Sequence, residues 1–207
     1  MRMEEHDHLF ILGDIFDRSS SAPDPVGVYF NILKLEDKCT MIRGNHNQWL
    51  AEYIINYYRV SETKRARLAP YLYNTFKLLM QRLTPVDMQN LANWILSWPV
   101  QVELKLEDVK YLLAHAITSS LGDQKSEDYY LTGEKVDDKF LQQGIIGYIS
   151  ICGHTNLGGN YIWKNALKNV YVCDCGCGYT SGRLGCLCLE TKEEFLCVSL
   201  VTEKEDK

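Results

Sequence analysis

Hydrophobic residues along the chain are spaced in two ways, and the spacing separates predicted strands from predicted helices. Short apolar runs, each followed by polar residues, have the length and composition of buried strands. These runs lie at residues 9–12, 39–42, 109–114 and 145–152. A short helix is predicted between the first two runs, so residues 9–46 form a βαβ unit. Over residues 47–98 apolar positions recur at helical spacing instead, which predicts a helical insertion.

The remainder of the chain is predicted to consist of strands and loops. A strand at 100–104 precedes the third apolar run, and residues 118–143 are polar, as in a surface loop with a short helix at 137–142. Three closing segments alternate with turns, as the strands of a β-meander do, at residues 169–174, 183–190 and 194–201. Within the insertion, Thr84 followed by proline and an acidic residue has the features of a helix start.

Composition indicates a single soluble domain over residues 1–207. The chain is 46% hydrophobic and 24% charged, which suits one ordinary globular unit. No apolar run approaches the roughly 18 residues of a membrane span, and the first ten residues carry charges where a signal peptide is apolar. We therefore expect a cytoplasmic protein with no membrane partner, whose eight cysteines are thiols or metal ligands.

Charge argues against nucleic acid as a partner. With 22 basic and 27 acidic residues, the chain has a net charge of −5 and no general basic field. One basic stretch, containing Lys64, Arg65 and Arg67, could contact a nucleotide or nucleic acid. Because the protein is acidic, a solvated surface is the simpler interpretation of this stretch.

Polar clusters follow four of the predicted strands. In chain order they contain Asp14, Asp17 and Arg18, then Asn45 and His46, then His115, and finally His154. In α/β folds, functional sites are built at the carboxyl ends of strands. One carboxylate, one amide oxygen and two imidazoles are ligands that manganese, iron or zinc accept. Each residue alone has an ordinary structural explanation, but the ordered set indicates a metal site.

The same clusters resemble the ordered motifs of the calcineurin-like metallophosphoesterases. In chain order, the similar motifs are Gly13-Asp14-Ile15-Phe16-Asp17-Arg18, Gly44-Asn45-His46-Asn47, Leu113-Ala114-His115-Ala116 and Gly153-His154-Thr155. They are most similar to the PPP-type branch, which includes bacterial and phage serine/threonine phosphatases and symmetrical diadenosine tetraphosphatases. The resemblance implies an α/β fold: a four-layer α/β/β/α sandwich of two mixed sheets flanked by helices.

The resemblance also implies the chemistry of a hydrolase. Members of this family cleave phosphomonoesters or phosphoanhydrides with a metal-activated hydroxide at a site of two divalent ions. Manganese is the metal we expect, with iron, nickel and zinc as alternatives. The substrate is a phosphorylated protein, nucleotide or small metabolite, and the motifs favour none of these classes. They do not indicate an oligomeric state either.

Site residues are carried over from the matching motifs. The metal ligands are Asp14, Asn45, His115 and His154. The substrate-binding residues are Arg18, Asn45 and His46, and the catalytic residues are His46, Asp17 and Arg18. In these roles the Arg18 guanidinium binds phosphate oxygens, and the His46 imidazole, oriented by the Asp17 carboxylate, protonates the leaving group.

The first motif of the family, Asp-x-His, has no counterpart in this sequence. It normally lies well before the Gly-Asp-x-x-Asp-Arg motif, and only 13 residues precede Asp14. His6 and His8 do not replace it, because His8 opens the strand whose opposite end carries Asp14. We therefore expect one bound metal instead of two, in an enzyme that is truncated at its N-terminus and impaired. The alternative is a non-catalytic phosphate- or metal-binding pseudoenzyme module.

Two smaller departures concern the second motif and phosphate binding. Asn47 stands where the family has glutamate. No arginine lies between His115 and His154, where PPP-type protein phosphatases usually place a second phosphate-binding arginine. The only basic residues in that interval are Lys125, Lys135 and Lys139, which lack the bidentate fork of arginine, so we expect phosphate to be bound more weakly or in a different arrangement.

The closing segments are rich in cysteine. Two sets alternate along predicted neighbouring strands, namely Cys173, Cys175 and Cys177, and then Cys186 and Cys188. Alternation places each set on one face, so a hairpin could assemble a zinc site. The simpler interpretation is that these small thiols pack in a sheet core.

Overall fold

A computed structural model describes residues 4, 6–18, 22–133, 138–179 and 181–198. It begins with the predicted βαβ unit, which consists of β1 (Leu9–Ile11), α1 (Pro25–Leu33) and β2 (Cys39–Met41). The two strands are parallel, with Ile11 opposite Met41. Asp24 caps α1, and Pro25 occupies its first turn, where the missing N–H removes no helical hydrogen bond. The parallel pairing brings the residues that follow β1 next to those that follow β2.

Residues 45–97 contain four helices. They are α2 (Asn45–Arg59), α3 (Glu62–Arg65), α4 (Thr75–Met80) and α5 (Pro85–Ser97). The two longest helices bury their apolar stripes in one core cluster, which includes Leu50, Ile54 and Leu91. Thr84 caps α5 through its side chain, and a proline occupies the first turn. The helix start predicted at Thr84 is therefore confirmed.

Five strands form the central mixed sheet. They are β3 (Gln101–Leu106), β4 (Val109–Ala114), β5 (Ile149–Cys152), β6 (Trp163–Lys164) and β7 (Val170–Val172). Their order is β3-β4-β5-β7-β6, with β4, β5 and β7 parallel and the two outer strands antiparallel to their neighbours. Because β4 and β5 are parallel neighbours, the residues that follow them lie at the same edge of the sheet.

The polar segment between β4 and β5 contains more helix than its pattern predicts. It includes α6 (Glu127–Thr132) and α7 (Asp138–Gln143). The second helix corresponds to the one predicted at 137–142, although residue 137 itself lies outside the described residues. The first was not predicted, because Tyr130 and Leu131 are its buried side chains and two adjacent positions show no helical period.

The closing strands differ from the predicted meander. β8 (Arg183–Leu187) and β9 (Glu194–Val198) form an antiparallel hairpin, whereas β7 belongs to the five-stranded sheet. Since β7 ends at Val172, Cys173 and the next two cysteines follow the strand and do not alternate along it. Residues 199–201 of the predicted last strand lie outside the described part of the chain.

The elements stack in the expected α/β/β/α order. Helices α1, α2, α4 and α5 pack against one side of the β1–β2 pair. Phe10 of β1 and Leu196 of β9 pack with Leu113 of the five-stranded sheet, and Phe140 of α7 packs with Val170 in a third cluster. The second β layer was expected to be one mixed sheet. It consists of two separate pairs, β1–β2 and β8–β9, because no described strand hydrogen-bonds to both.

None of the described helices has the length and apolar character to cross a bilayer.

Candidate metal centre and phosphate site

Four predicted metal ligands meet where β1, β2, β4 and β5 end. His115 lies at the centre, with its Nε2 atom 3.0 Å from Asn45 Oδ1 and 3.1 Å from His154 Nδ1. The Asp14 Oδ2 atom lies 3.2 Å from His115 Nε2 as well. His154 Nδ1 is also 3.1 Å from Asn45 Oδ1. The structure therefore brings all four residues into one group.

The orientation of the His115 ring makes this group suitable for a cation. Its Nδ1 lies 2.5 Å from the backbone carbonyl oxygen of Leu12, which can only accept, so Nδ1 carries a proton. The other nitrogen, Nε2, faces an amide oxygen and a carboxylate, so it donates a proton to them in the charged ring and offers a lone pair to a cation at the same place once that proton is lost. A divalent transition metal accepts this mixed oxygen and nitrogen donor set, and the bond to Leu12 orients the ring as an outer partner of a metal ligand does.

The charged and imidazole side chains of this cluster are close enough together to share one ion. Among the described residues, one group of three or more histidine, cysteine, aspartate or glutamate side chains has its ligand atoms within 4.8 Å of one another. Its members are Asp14, His115 and His154. The residues present therefore fit a metal ion.

Asp14 is fixed by the start of α2. Its Oδ1 accepts a hydrogen bond from the His46 backbone N–H at 3.0 Å. The carboxylate thus lies at the N-terminus of a 15-residue helix, where the helix dipole favours negative charge. The Asp14 N–H donates to Asn47 Oδ1 at 2.6 Å. Gly44 leaves no room for a side chain, since a Cβ there lies 2.3 Å from Asp14 Oδ1. Asn47, where the sequence departs from the family motif, therefore helps to fix the position of Asp14.

Charges within the cluster shift the pKa values of its members. Burial acts to raise the pKa of Asp14, but the hydrogen bond and charge of His115, with the charge of His46, hold it below its ordinary value. Burial acts to lower the pKa of His115, but Asp14 and the Leu12 carbonyl raise it above its ordinary value. Burial and the charge of His115 lower the pKa of His154. Asp14 is therefore an anion at neutral pH.

Three site residues adopt the left-handed backbone conformation that favours glycine. The angle φ is 55° at Asp14, 65° at Arg18 and 63° at His154. Each such residue costs about 1–3 kcal/mol, and residues strained in this way cluster at functional sites. The backbone of these three positions is consistent with a functional role.

His46 and Asp17 form a second, buried pair beside the ligand cluster. His46 Nδ1 lies 3.0 Å from Asp17 Oδ2, and the two side chains are 4% and 2% exposed. Because a carboxylate only accepts, Nδ1 donates to it, and His46 Nε2 lies 4.0 Å from Asp14 Oδ2. The rings of Trp49 and Tyr73 lie against His46 at centroid distances of 4.9 and 5.1 Å. The pair thus presents an oriented imidazole nitrogen beside the ligand cluster.

Two residues that the sequence analysis missed hold Asp17 in place. The Tyr71 hydroxyl donates to Asp17 Oδ2 at 2.8 Å, and the Thr75 hydroxyl donates to Asp17 Oδ1. Burial and the negative charge of Asp17 raise the pKa of Tyr71, so its phenol keeps its proton. Tyr71 lies in irregular chain between α3 and α4, where no motif or period distinguishes it. No signal in the sequence could have found it.

Arg18 lies at the exposed edge of the site. Its Nη1 donates to the Tyr179 hydroxyl at 2.9 Å, and its Nε donates to the Tyr73 hydroxyl at 3.4 Å. The guanidinium carbon lies 5.6 Å from the centre of the Tyr179 ring. The hydrogen bond to Tyr73 raises the pKa of Arg18, so its positive charge is permanent. Because Tyr73 also contacts His46, Arg18 lies close to the buried pair.

The other candidate sites are not assembled. Arg65 of the basic stretch donates to the backbone carbonyls of Tyr57 and Tyr58 at 2.7 and 3.2 Å, so it caps the end of α2. Burial raises the pKa of Cys152 to about 12 and that of Cys175 to about 11. Both therefore stay protonated at neutral pH and pack as small apolar side chains. No three thiols of the described residues form a metal-binding group, so the zinc interpretation of the closing cysteines finds no support.

Comparisons with known proteins identify the family of the chain and structures with a similar fold. The family model described as calcineurin-like phosphoesterase matches residues 2–184. A solved structure described as a "putative diadenosine tetraphosphatase" superposes with a TM-score of 0.65 at 15% identity, covering 95% of this chain and 82% of that chain. Hypothetical protein PH1004 from Pyrococcus horikoshii OT3 gives a TM-score of 0.53 at 14% identity, with coverages of 91% and 73%. The chain matches none of the curated proteins in sequence. The two structures show the fold, and the match of the family model over most of the sequence shows that this chain belongs to the calcineurin-like phosphoesterase family.

Proposed function

We propose that this metal-dependent phosphoesterase is a PPP-type phosphatase that hydrolyses phosphomonoesters or phosphoanhydrides in the cytoplasm. The convergence of an amide oxygen, a carboxylate oxygen and a second imidazole on His115 Nε2 carries this proposal. Nucleotides are the substrate class that we propose first. The likeness of the fold to a "putative diadenosine tetraphosphatase" supports that choice. Phosphorylated proteins and small metabolites are the alternatives.

A divalent ion is proposed to bind the residues of the ligand cluster, which are Asp14, Asn45, His115 and His154. Manganese is our first choice, and iron, nickel and zinc accept the same oxygen and nitrogen donors. When bound, the ion would act as a Lewis acid and lower the pKa of a coordinated water. The chain contributes the arrangement of the donors, since the start of α2 holds Asp14 and the Leu12 carbonyl orients His115.

The other three predicted residues are proposed to act on the substrate itself. Arg18 offers its guanidinium to phosphate oxygens, because its charge is exposed at the edge of the site. His46, when protonated on both nitrogens, donates the Nε2 proton to the leaving oxygen. Asp17 keeps the ring in that orientation through its 3.0 Å contact with Nδ1.

Hydrolysis of p-nitrophenyl phosphate and of phenyl phosphate in the presence of Mn²⁺ tests this function. Asp14→Asn should abolish metal-dependent turnover of both substrates. His46→Asn should slow phenyl phosphate by about 100-fold and p-nitrophenyl phosphate less, because p-nitrophenolate leaves without a proton. His8→Asn is the matched control, since His8 lies at the opposite end of β1 and bonds Thr40 at 2.8 Å. Wild-type rates in both site variants would contradict the mechanism.

A non-catalytic metal- or phosphate-binding module is the second candidate. One observation favours it: the described residues contain a single group of three metal ligands, whereas the family resemblance implies a site of two ions. Calorimetric titration with Mn²⁺, combined with hydrolysis assays on phosphate esters and nucleoside polyphosphates, decides between the two functions. A wild-type protein that binds Mn²⁺ in a calorimeter but hydrolyses none of the phosphate esters or nucleoside polyphosphates tested would be such a module.

A further inference from the structure

The guanidinium of Arg18 has an unusual set of partners. Both of its described side-chain hydrogen bonds go to phenol oxygens, those of Tyr73 and Tyr179. Among the described residues, no carboxylate lies within ion-pair distance of Arg18, whereas Arg43 and Arg82 each pair with one at 2.8 and 2.7 Å. A guanidinium has five N–H donors, so three remain after the two phenol bonds. Arg18 is therefore placed by neutral groups and keeps its charge for another anion.

The same hydrogen bonds leave the two phenols with a proton to donate. A tyrosine hydroxyl has one O–H donor, and here its oxygen accepts from the arginine. The proton must then point away from the guanidinium. In the described part of the chain, neither hydroxyl donates to another acceptor. Two neutral hydroxyl donors thus lie within hydrogen-bond distance of one positively charged guanidinium.

Each tyrosine is held at this position by a different part of the fold. Tyr73 lies between α3 and α4, and its ring packs on His46 at 5.1 Å. Tyr179 lies in the loop before β8, next to Gly178. A Cβ at Gly178 would lie only 2.3 Å from the Arg18 backbone oxygen, so this loop packs directly on Arg18. The segment with helices α2 to α5 (the helical segment) and the loop before β8 therefore both contact Arg18.

We infer that Tyr73 and Tyr179 bind phosphate together with Arg18, through hydroxyl groups that donate to the non-bridging oxygens. The three side chains form a phosphate cradle at the edge of the site. It offers one charged fork and two neutral donors, in a sequence that lacks an arginine between His115 and His154. The inference rests on the proposed function, because it places the phosphate of the substrate next to His46.

Calorimetric titration with inorganic phosphate in the presence of Mn²⁺ tests the cradle. Tyr73→Phe and Tyr179→Phe keep the rings and remove only the hydroxyls. Each should weaken phosphate binding by about tenfold, and the double variant by about 100-fold if the two bonds act independently. Tyr58→Phe is the matched control, because Arg65 lies over its ring at 5.4 Å, much as Arg18 lies over that of Tyr179 at 5.6 Å. Tyr58 is 12 positions beyond His46 along α2, about 18 Å away.

The outcomes separate this inference from the proposed function. Phosphate affinity within twofold of wild type in both tyrosine variants overturns the cradle, even if the enzyme is active. A wild-type protein that binds no phosphate overturns it as well. If the wild type binds phosphate but hydrolyses no substrate, and both tyrosine variants bind phosphate more weakly than the wild type, the cradle stands and the catalytic proposal fails. Melting temperatures of the variants confirm that each remains folded.

Discussion

The two halves of the site are built in different ways. The metal-ligand half contains the proposed metal ligands, which come soon after strands in the sequence, namely Asp14, Asn45, His115 and His154. The acid half contains the proposed general-acid pair, Asp17 and His46, together with the hydroxyl groups of Tyr71 and Thr75 that hydrogen-bond to Asp17. Strand pairing fixes the first half, because parallel neighbours end at one edge. The second half depends on hydroxyl groups from the helical segment, at positions that no strand determines.

This difference in construction corresponds to the two tasks proposed for the site, metal binding and proton donation. In the metal-ligand half, Gly44 packs against Asp14 with no room for a Cβ, and Asn47 Oδ1 accepts hydrogen bonds from the backbone N–H groups of Asp14 and Gly44. In the acid half, two hydroxyls orient Asp17, and each can be removed without deleting any buried carbon skeleton. Metal binding and orientation of the acid should therefore respond to different mutations.

The largest effect is expected from His154→Asn. Asparagine tolerates the left-handed backbone that His154 adopts, so the fold should be retained while one imidazole is lost. Mn²⁺ affinity should fall by more than about 100-fold, since even outer partners of metal ligands contribute 10–100-fold. Calorimetric titration with Mn²⁺ measures it, with His8→Asn as the control. Unchanged affinity would show that the cluster does not hold the metal, and the metal-ligand half would then have no metal-binding role.

A smaller effect is expected from Tyr71→Phe. The variant removes a donor to the buried Asp17 carboxylate, and a hydrogen bond to a charged group contributes roughly tenfold or more. The kcat for phenyl phosphate should fall by about tenfold, while KM and Mn²⁺ affinity stay unchanged. Tyr53→Phe is the control, because its hydroxyl donates to the Ala69 carbonyl at 3.1 Å instead. A loss of Mn²⁺ affinity in Tyr71→Phe would mean that the two halves are coupled.

The smallest effect is expected from Thr84→Ala, which removes the side-chain cap of α5, a helix that packs in the same core cluster as α2. The free energy of unfolding should fall by about 1 kcal/mol, as for other N-cap threonines. Urea denaturation measures the change, and Thr63→Ala, at an exposed position in α3, is the control. Neither kcat nor metal affinity should change. A drop in kcat with Thr84→Ala would show that the acid half depends on the stability of the whole helical segment.

The metal-ligand half could be predicted from the sequence because its signal is local. Each proposed ligand follows an apolar run that forms a strand, and the residues that follow parallel strands lie at one edge of the sheet. The βαβ unit explains why Asp14 meets Asn45, and the parallel pairing of β4 with β5 explains why His115 meets His154. Here the hydrophobic pattern, the order of the motifs and the geometry of the sheet all agree.

The supporting residues could not be predicted, because their partners are distant in sequence and their segments are irregular. Tyr71 lies 54 positions from Asp17, and Tyr179 lies 161 positions from Arg18. A tyrosine between two helices or in a turn shows no period and matches no motif. The misassigned β7 has a similar cause, since strands that alternate with turns do not reveal which sheet each one joins.

The proposed metal ligands are widely separated along the chain, so metal binding at this site would be linked to folding. Asn45 and His154 are 109 positions apart, so an unfolded chain cannot present them together. An ion that binds the folded state alone stabilises it in proportion to the logarithm of its concentration, by about 2.7 kcal/mol at 100 times Kd. The melting temperature then reports the supply of metal, and a cell poor in the ion would hold a less stable pool of this protein.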